Sequence, residues 1–135
     1  LDCTCPLRSL RCINEMIDKF VFYKKQKKNF DGIFTIATAR KNPYFNLVEM
    51  KRNGYLKLSK DLKTKIVRRQ DCPKVYEHVA AAYILKPEFI IKKKHLMNGK
   101  IIGHKVNNFM RWDIDDKFDF MIAEILAKAN KLCLN

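Results

Sequence analysis

The chain has 135 residues, enough for one domain with a real core, and its 47% hydrophobic content excludes a disordered polymer. No run is apolar and long enough to span a bilayer, and no charged–apolar–small leader opens the sequence. The net charge of +14 raises nucleic acid as a partner, but 21 of the 28 cations are Lys spread along the chain; solvated Lys faces account for them, and nucleic acid is not the expected partner.

Leu1-Asp2-Cys3 reads as the end of a strand leading into a loop, and it begins without a lead-in, so the sequence is expected to be truncated at its N-terminus. Pro6 stops regular structure. Ser9 is a helix cap, and Ile13, Met16, Ile17, Phe20 and Phe22–Tyr23 form a mostly helical apolar stripe. Lys24–Lys28 sits at its C-terminal end, where the helix dipole favours cations. Gly32–Ala37 is a short β run apolar enough for burial on both faces. Phe45–Met50 and Tyr55–Leu58 flank Lys51-Arg52-Asn53-Gly54, and Asn-Gly between such segments signals a hairpin. Residues 59–75 are polar and basic. Val79–Leu85 is a second β run, Lys86–Ile91 a short helix opened by Pro87, and Gly99–Val106 another strand. Phe118, Met121, Ile122, Ile125, Leu126 and Ala129 repeat at helical spacing and predict one apolar helix face. Strands alternate with helices, so the fold class is α/β, layered, with a hairpin inserted.

Five cysteines, at 3, 5, 12, 72 and 133, make an odd and scattered set, read most simply as reduced thiols in a cytosol. Cys3-Thr4-Cys5 has no partner pair with finger-like spacing, and His78, His95 and His104 do not cluster, so no zinc site is expected.

Carboxylates gather at one place. In MRWDIDDKFDF, residues 110–120, Asp113, Asp115, Asp116 and Asp119 fall within seven positions. Asp116 is a natural N-cap and Asp119 lies in the first turn of the last helix. Asp113 and Asp115 alternate with Trp112 and Ile114. In an extended segment residues two apart face the same way, roughly 7 Å apart. Like charges so placed repel unless a cation joins them, and Mg²⁺ prefers such oxygen ligands. On composition alone, capping or pairing with Lys and Arg explains both acids equally well.

Four stretches then point to one family. LDCTCPLRSLRCINEMI (1–17), ARKNPYFNLVEMKRNGYLKLSK (39–60), RRQDCPKVYEHVAAAYI (68–84) and WDIDDKFDFMIAE (112–124) resemble, in order and spacing, segments of the acylneuraminate cytidylyltransferases (CMP-sialic acid and other CMP-nonulosonate synthetases). The resemblance implies a cytoplasmic, Mg²⁺-dependent enzyme that joins CMP from CTP to a nine-carbon acidic sugar and releases pyrophosphate. It implies a Rossmann-like nucleotidyltransferase fold and a homodimer formed through an insert at 38–75. The chain then reads as the C-terminal part of one cytidylyltransferase domain. The family's glycine-rich phosphate-binding loop has no counterpart among the four glycines, at 32, 54, 99 and 103, so the nucleotide-binding N-terminal half is missing and the fragment alone is expected to be inactive. By resemblance Asp113 and Asp115 are the catalytic metal ligands, while Arg69, Gln70, Tyr83 and Asp2 contact substrate. The residues' own reading allows less: Arg68-Arg69 as a solvated charge pair, Tyr83 as a core aromatic, Asp2 as a loop cap. Val79 stands where the family has a sugar-binding Asn, Cys3 and Cys5 replace Pro and Ser, and Met110 replaces a common Arg. The alternative to an enzyme is a non-catalytic basic scaffold or nucleic-acid-binding module derived from the fold.

Overall fold

The computed structural model describes residues 1–62, 68–92 and 95–129. In chain order its elements are α1 (Leu10–Lys25), β1 (Gly32–Thr38), β2 (Val48–Met50), β3 (Leu56–Leu58), β4 (Tyr76–Leu85), α2 (Pro87–Lys92), β5 (Ile101–Lys105) and α3 (Lys117–Ala129), with single 3₁₀ turns at Arg69–Asp71 and Leu96–Asn98. They form two compact units, 1–37 with 78–135, and 38–77.

The first unit is built on a three-stranded sheet in the order β4-β1-β5. β1 and β5 are parallel, with Gly32 opposite Ile101 and Ile36 opposite Lys105. β4 runs the other way: Lys86 N–H donates to Asp31 O, Leu85 lies beside Gly32, and Ala82 N–H donates to the Thr35 hydroxyl. Gly32 is required by that contact, since a Cβ there would lie 2.7 Å from Ile84 O and 3.2 Å from Leu85 Cα. The sheet is therefore mixed, and it is smaller than the Rossmann-like sheet that the family resemblance implies.

α1 is closed at both ends. Ser9, in extended backbone, accepts from Cys12 N–H at 3.2 Å. At the other end Lys28 N–H bonds Tyr23 O and Lys27 N–H bonds Lys24 O, with Lys27 left-handed at φ 51°; this is a Schellman cap on a residue other than glycine. Cys12 and Met16 are buried from this helix and join Ile33, Ala37, Val79 and Ala81 of the sheet in one core. Phe20 and Tyr23 meet Phe30 edge-on, with ring centres 5.1 and 6.0 Å apart. Ile17 and Phe22, placed on the apolar stripe from sequence, are exposed. The N-terminal residues 1–9 are loop, so the strand end expected at Leu1–Cys3 is not formed.

α3 begins as expected. Asp116 Oδ1 accepts from Asp119 N–H at 2.9 Å, and Asp119 Oδ2 reaches back to Asp115 N–H at 3.2 Å. Its inward side is a correction: Ala123 is buried and Asp119, Ile122, Leu126 and Ala127 are half-buried, whereas Phe118, Met121 and Ile125 are exposed.

The second unit holds the β2–β3 hairpin, antiparallel, with Val48 opposite Leu58 and Met50 opposite Leu56. Lys51 N–H donates to Tyr55 O, and Gly54 N–H to Lys51 O. The loop is thus Arg52-Asn53-Gly54, three residues long, and Gly54 takes the left-handed position at φ 82°. Asn42 knits the stretch before the hairpin: its carbonyl accepts from the N–H groups of Phe45, Asn46 and Leu47, its Oδ1 from Tyr44 N–H, and its Nδ2 donates to Pro73 O. Among the described residues no helix is long and apolar enough to cross a membrane.

Candidate functional site

The first unit draws together the two ends of its sequence. Ile114 N–H donates to Thr4 O at 2.8 Å. The Cys5 thiol, fully buried, donates to Met110 O at 3.2 Å. The N-terminal loop and the acidic segment are thereby stitched side by side. Arg8 adds a third link: its guanidinium donates to Asp2 O and, at 3.4 Å, to Ala81 O of β4.

Along Trp112-Asp113-Ile114-Asp115 burial alternates, half-buried at the apolar residues and exposed at both acids. The alternation expected from sequence is present, with Ile114 turned to the protein and Asp113 and Asp115 turned to solvent. Trp112 is anchored through its indole N–H, which donates to Asp119 O at 3.1 Å.

Asp2 and Tyr83 lie in the same neighbourhood. Asp2 Oδ1 accepts from Thr4 N–H at 3.3 Å and from the Thr4 hydroxyl at 3.1 Å. These two bonds, the backbone one first, hold its carboxyl below its ordinary pKa. The loop-cap reading of Asp2 is therefore correct as far as it goes. Tyr83 is half-buried, and burial raises its hydroxyl pKa, with the Asp2 and Asp113 charges adding to the rise. Burial also pushes the Cys5 thiol up to about 11, with Asp113 again contributing. Tyr83 and Cys5 are consequently protonated at neutral pH, and Cys5 is no nucleophile.

Arg69 and Gln70 belong to the second unit. Both are exposed on the 3₁₀ turn Arg69–Asp71, which opens after Arg68 pairs with Asp71 at 3.0 Å. Arg69 Nη2 donates to Arg40 O at 2.8 Å. That single bond leaves most of the guanidinium's donors accessible. Val79 is a buried core residue, and its carbonyl accepts from the Thr35 hydroxyl.

Magnesium is the ion that the resemblance implies. Asp113 and Asp115 offer exposed hard-oxygen donors, and among the described residues neither side chain has a hydrogen bond or ion pair. Among those residues no group of three or more His, Cys, Asp or Glu could hold an ion. A two-carboxylate site suits Mg²⁺, which keeps several waters and shares substrate phosphates, and does not suit a closed zinc centre.

Sequence reasoning did not single out Arg8, although it lies in the first stretch quoted above. It also passed over Thr35 and weighed His78 only as a metal ligand; Thr35 bonds the backbone of β4, and the His78 ring meets Phe34 and Tyr83.

No family model matches the chain. Two curated relatives do. It is 34% identical over 137 residues to the post-translational flagellin modification protein B of Campylobacter coli, which covers 98% of this chain and 53% of that protein. It is 33% identical over 105 residues to the CMP-N,N′-diacetyllegionaminic acid synthase of Campylobacter jejuni, covering 74% of this chain and 41% of that protein. The chain spans about half the length of the curated relatives it matches. It belongs to the cytidylyltransferase family for nonulosonic acids.

Proposed function

We propose that this chain is the sugar-side part of an enzyme that transfers CMP from CTP to a nonulosonic acid. The anomeric hydroxyl oxygen of the sugar bonds to the α-phosphorus, the bond from that phosphorus to the bridging oxygen breaks, pyrophosphate leaves, and the hydroxyl proton passes to solvent or a base. Transfer of this kind is catalysed by placing in-line partners and neutralising charge. The observation that carries the reading is the Ile114–Thr4 bond, which sets two exposed carboxylates, unpaired among the described residues, beside the loop bearing Asp2, in the unit that holds Tyr83.

Asp113 and Asp115 are the residues that would hold Mg²⁺, which when bound supplies positive charge to the phosphates. The other residues act on the sugar. Asp2, kept ionised by Thr4, accepts from a sugar hydroxyl. Tyr83, kept protonated, donates. In the other unit, Arg69 and Gln70 are the residues that the family resemblance assigns to the sugar; a guanidinium takes a carboxylate with paired N–H groups, a geometry that Lys lacks. The complete enzyme has a Rossmann-like fold, works in the cytoplasm where CTP is made, and dimerises through the insert at 38–75. The Campylobacter jejuni relative, named as a CMP-N,N′-diacetyllegionaminic acid synthase, favours a diacetylated sugar.

The test is to incubate the complete gene product carrying this chain with CTP, Mg²⁺ and a panel of nonulosonic acids, and to follow pyrophosphate and the CMP-sugar by chromatography. Stoichiometric appearance of both is expected, fastest with a diacetylated sugar. Absence of any CMP-sugar across the panel rejects the transferase in favour of a scaffold.

A further inference from the structure

β4 is not a regular strand. His78 and Tyr83 stand five positions apart along it, a separation that in extended backbone spans roughly 16 Å and puts the side chains on opposite faces. Their ring centres are nevertheless 5.4 Å apart, and they meet Phe34 of β1 at 4.7 and 6.4 Å respectively. Between them Ala81 and Ala82 are both buried, which breaks the in–out alternation of a strand.

Thr35 explains the distortion. Its side chain is fully buried, and its hydroxyl donates to Val79 O at 2.6 Å while accepting from Ala82 N–H at 3.1 Å. One oxygen bonded to backbone groups three residues apart holds the strand in a bulge, and a bulge re-aims the side chains that flank it. Val79 goes into the core and His78 stays exposed, its ring folded against Tyr83.

We propose that this bulge builds a sugar-contacting wall, made by His78 and Tyr83 and backed by buried Phe34, with Thr35 as its positioning residue. The proposal rests on the transferase reading and names the part of the site that meets the sugar's acylated side. Tyr83 joins the wall to the carboxylates, since Asp2 and Asp113 both act on its hydroxyl. The ring faces suit C–H groups and acyl methyls. A neutral imidazole carries one donor and one acceptor, the pair that an amide or a hydroxyl requires. With Val79 facing the core, His78 carries the polar side-chain contact of this stretch. Although His78 is exposed as a residue, packing of its ring against Phe34 and Tyr83 desolvates it enough to lower its pKa, which favours the neutral ring.

The experiment uses the complete gene product with CTP and N,N′-diacetyllegionaminic acid. His78→Ala raises KM for the sugar by about tenfold, the worth of one hydrogen bond, and leaves KM for CTP unchanged. Thr35→Val gives the same selective rise, and Thr35→Ser restores it because the hydroxyl returns. A sugar KM within twofold of wild type for His78→Ala, or a rise in KM for CTP instead, overturns the wall; wild-type kinetics for Thr35→Val overturns the positioning role. His78 is exposed, so its variant stays informative if Thr35→Val does not fold. Saturation-transfer NMR of the sugar separates the two readings. If nothing turns over but the sugar binds and His78→Ala abolishes that binding, the wall stands and the transferase falls. If neither binding nor turnover occurs, both fall.

Discussion

Asp113 and Asp115 differ from Asp116 and Asp119 in what they touch. The second pair is occupied in starting α3, each side chain taking a backbone N–H. The first pair is exposed and unpaired among the described residues. Asp115→Asn keeps the shape and the N–H to Asp119 but removes a charge. It should lower CMP-sugar formation by about a hundredfold or more, the usual consequence of losing one electrostatic stabiliser, with the melting temperature nearly unchanged. Turnover close to wild type would eliminate the proposed metal role. This division of the cluster was legible in sequence, because capping and alternation are local rules. The links from Cys5 to Met110 and from Thr4 to Ile114 were not, since they join residues more than a hundred positions apart. The Thr35 bulge was equally hidden: Val79–Leu85 has the residue types of a plain strand, and only the partner hydroxyl bends it.

Among elements, the helices and strands of the first unit were largely readable from period and caps, but their facing was not. α3 has an apolar stripe wide enough to dock in more than one rotation. The bond from the Trp112 indole to Asp119 O, at the helix's first turn, accompanies the rotation that turns Asp119 and Ile122 inward and leaves Phe118 and Met121 exposed. The joint between α1 and β5 carries a pH dependence. His104 on β5 is half-buried, with Glu15 Oε2 at 3.7 Å, and Lys19 of α1 donates to Gly103 O. Burial first, and then Lys19, lower the His104 pKa against the opposing pull of Glu15. The folded value lies below the unfolded one, so the stability contribution is present above the unfolded pKa of about 6.5 and is lost as pH falls toward the folded value. The melting temperature should therefore drop between pH 7 and pH 5, and His104→Gln should flatten that drop. An unchanged slope in calorimetry of the variant would assign the loss elsewhere.

At the scale of the molecule, the α/β class and the inserted hairpin follow from the order of elements, whereas the reversed direction of β4 does not, because hydrophobic runs carry no sense of direction. The hairpin unit exposes Val48, Met50, Tyr55 and Leu56. A two-stranded ribbon is marginal alone, and apolar side chains in open water call for a cover. We predict that this unit is where two copies meet. Sedimentation of the complete protein at micromolar concentration should give a dimer, and Met50→Glu with Leu56→Glu, which sit directly across the ladder, should give a folded monomer. A wild-type protein that already sediments as a monomer would refute the interface.

The first unit is discontinuous, interrupted by residues 38–77, and β1 lies between β4 and β5. On the ribosome β1 therefore emerges before either of its neighbours and must wait while the whole insert is made. During that interval its Gly-Ile-Phe-Thr-Ile-Ala-Thr segment lacks both of the strands that flank it in this sheet, and unpaired strand edges are where nascent chains aggregate.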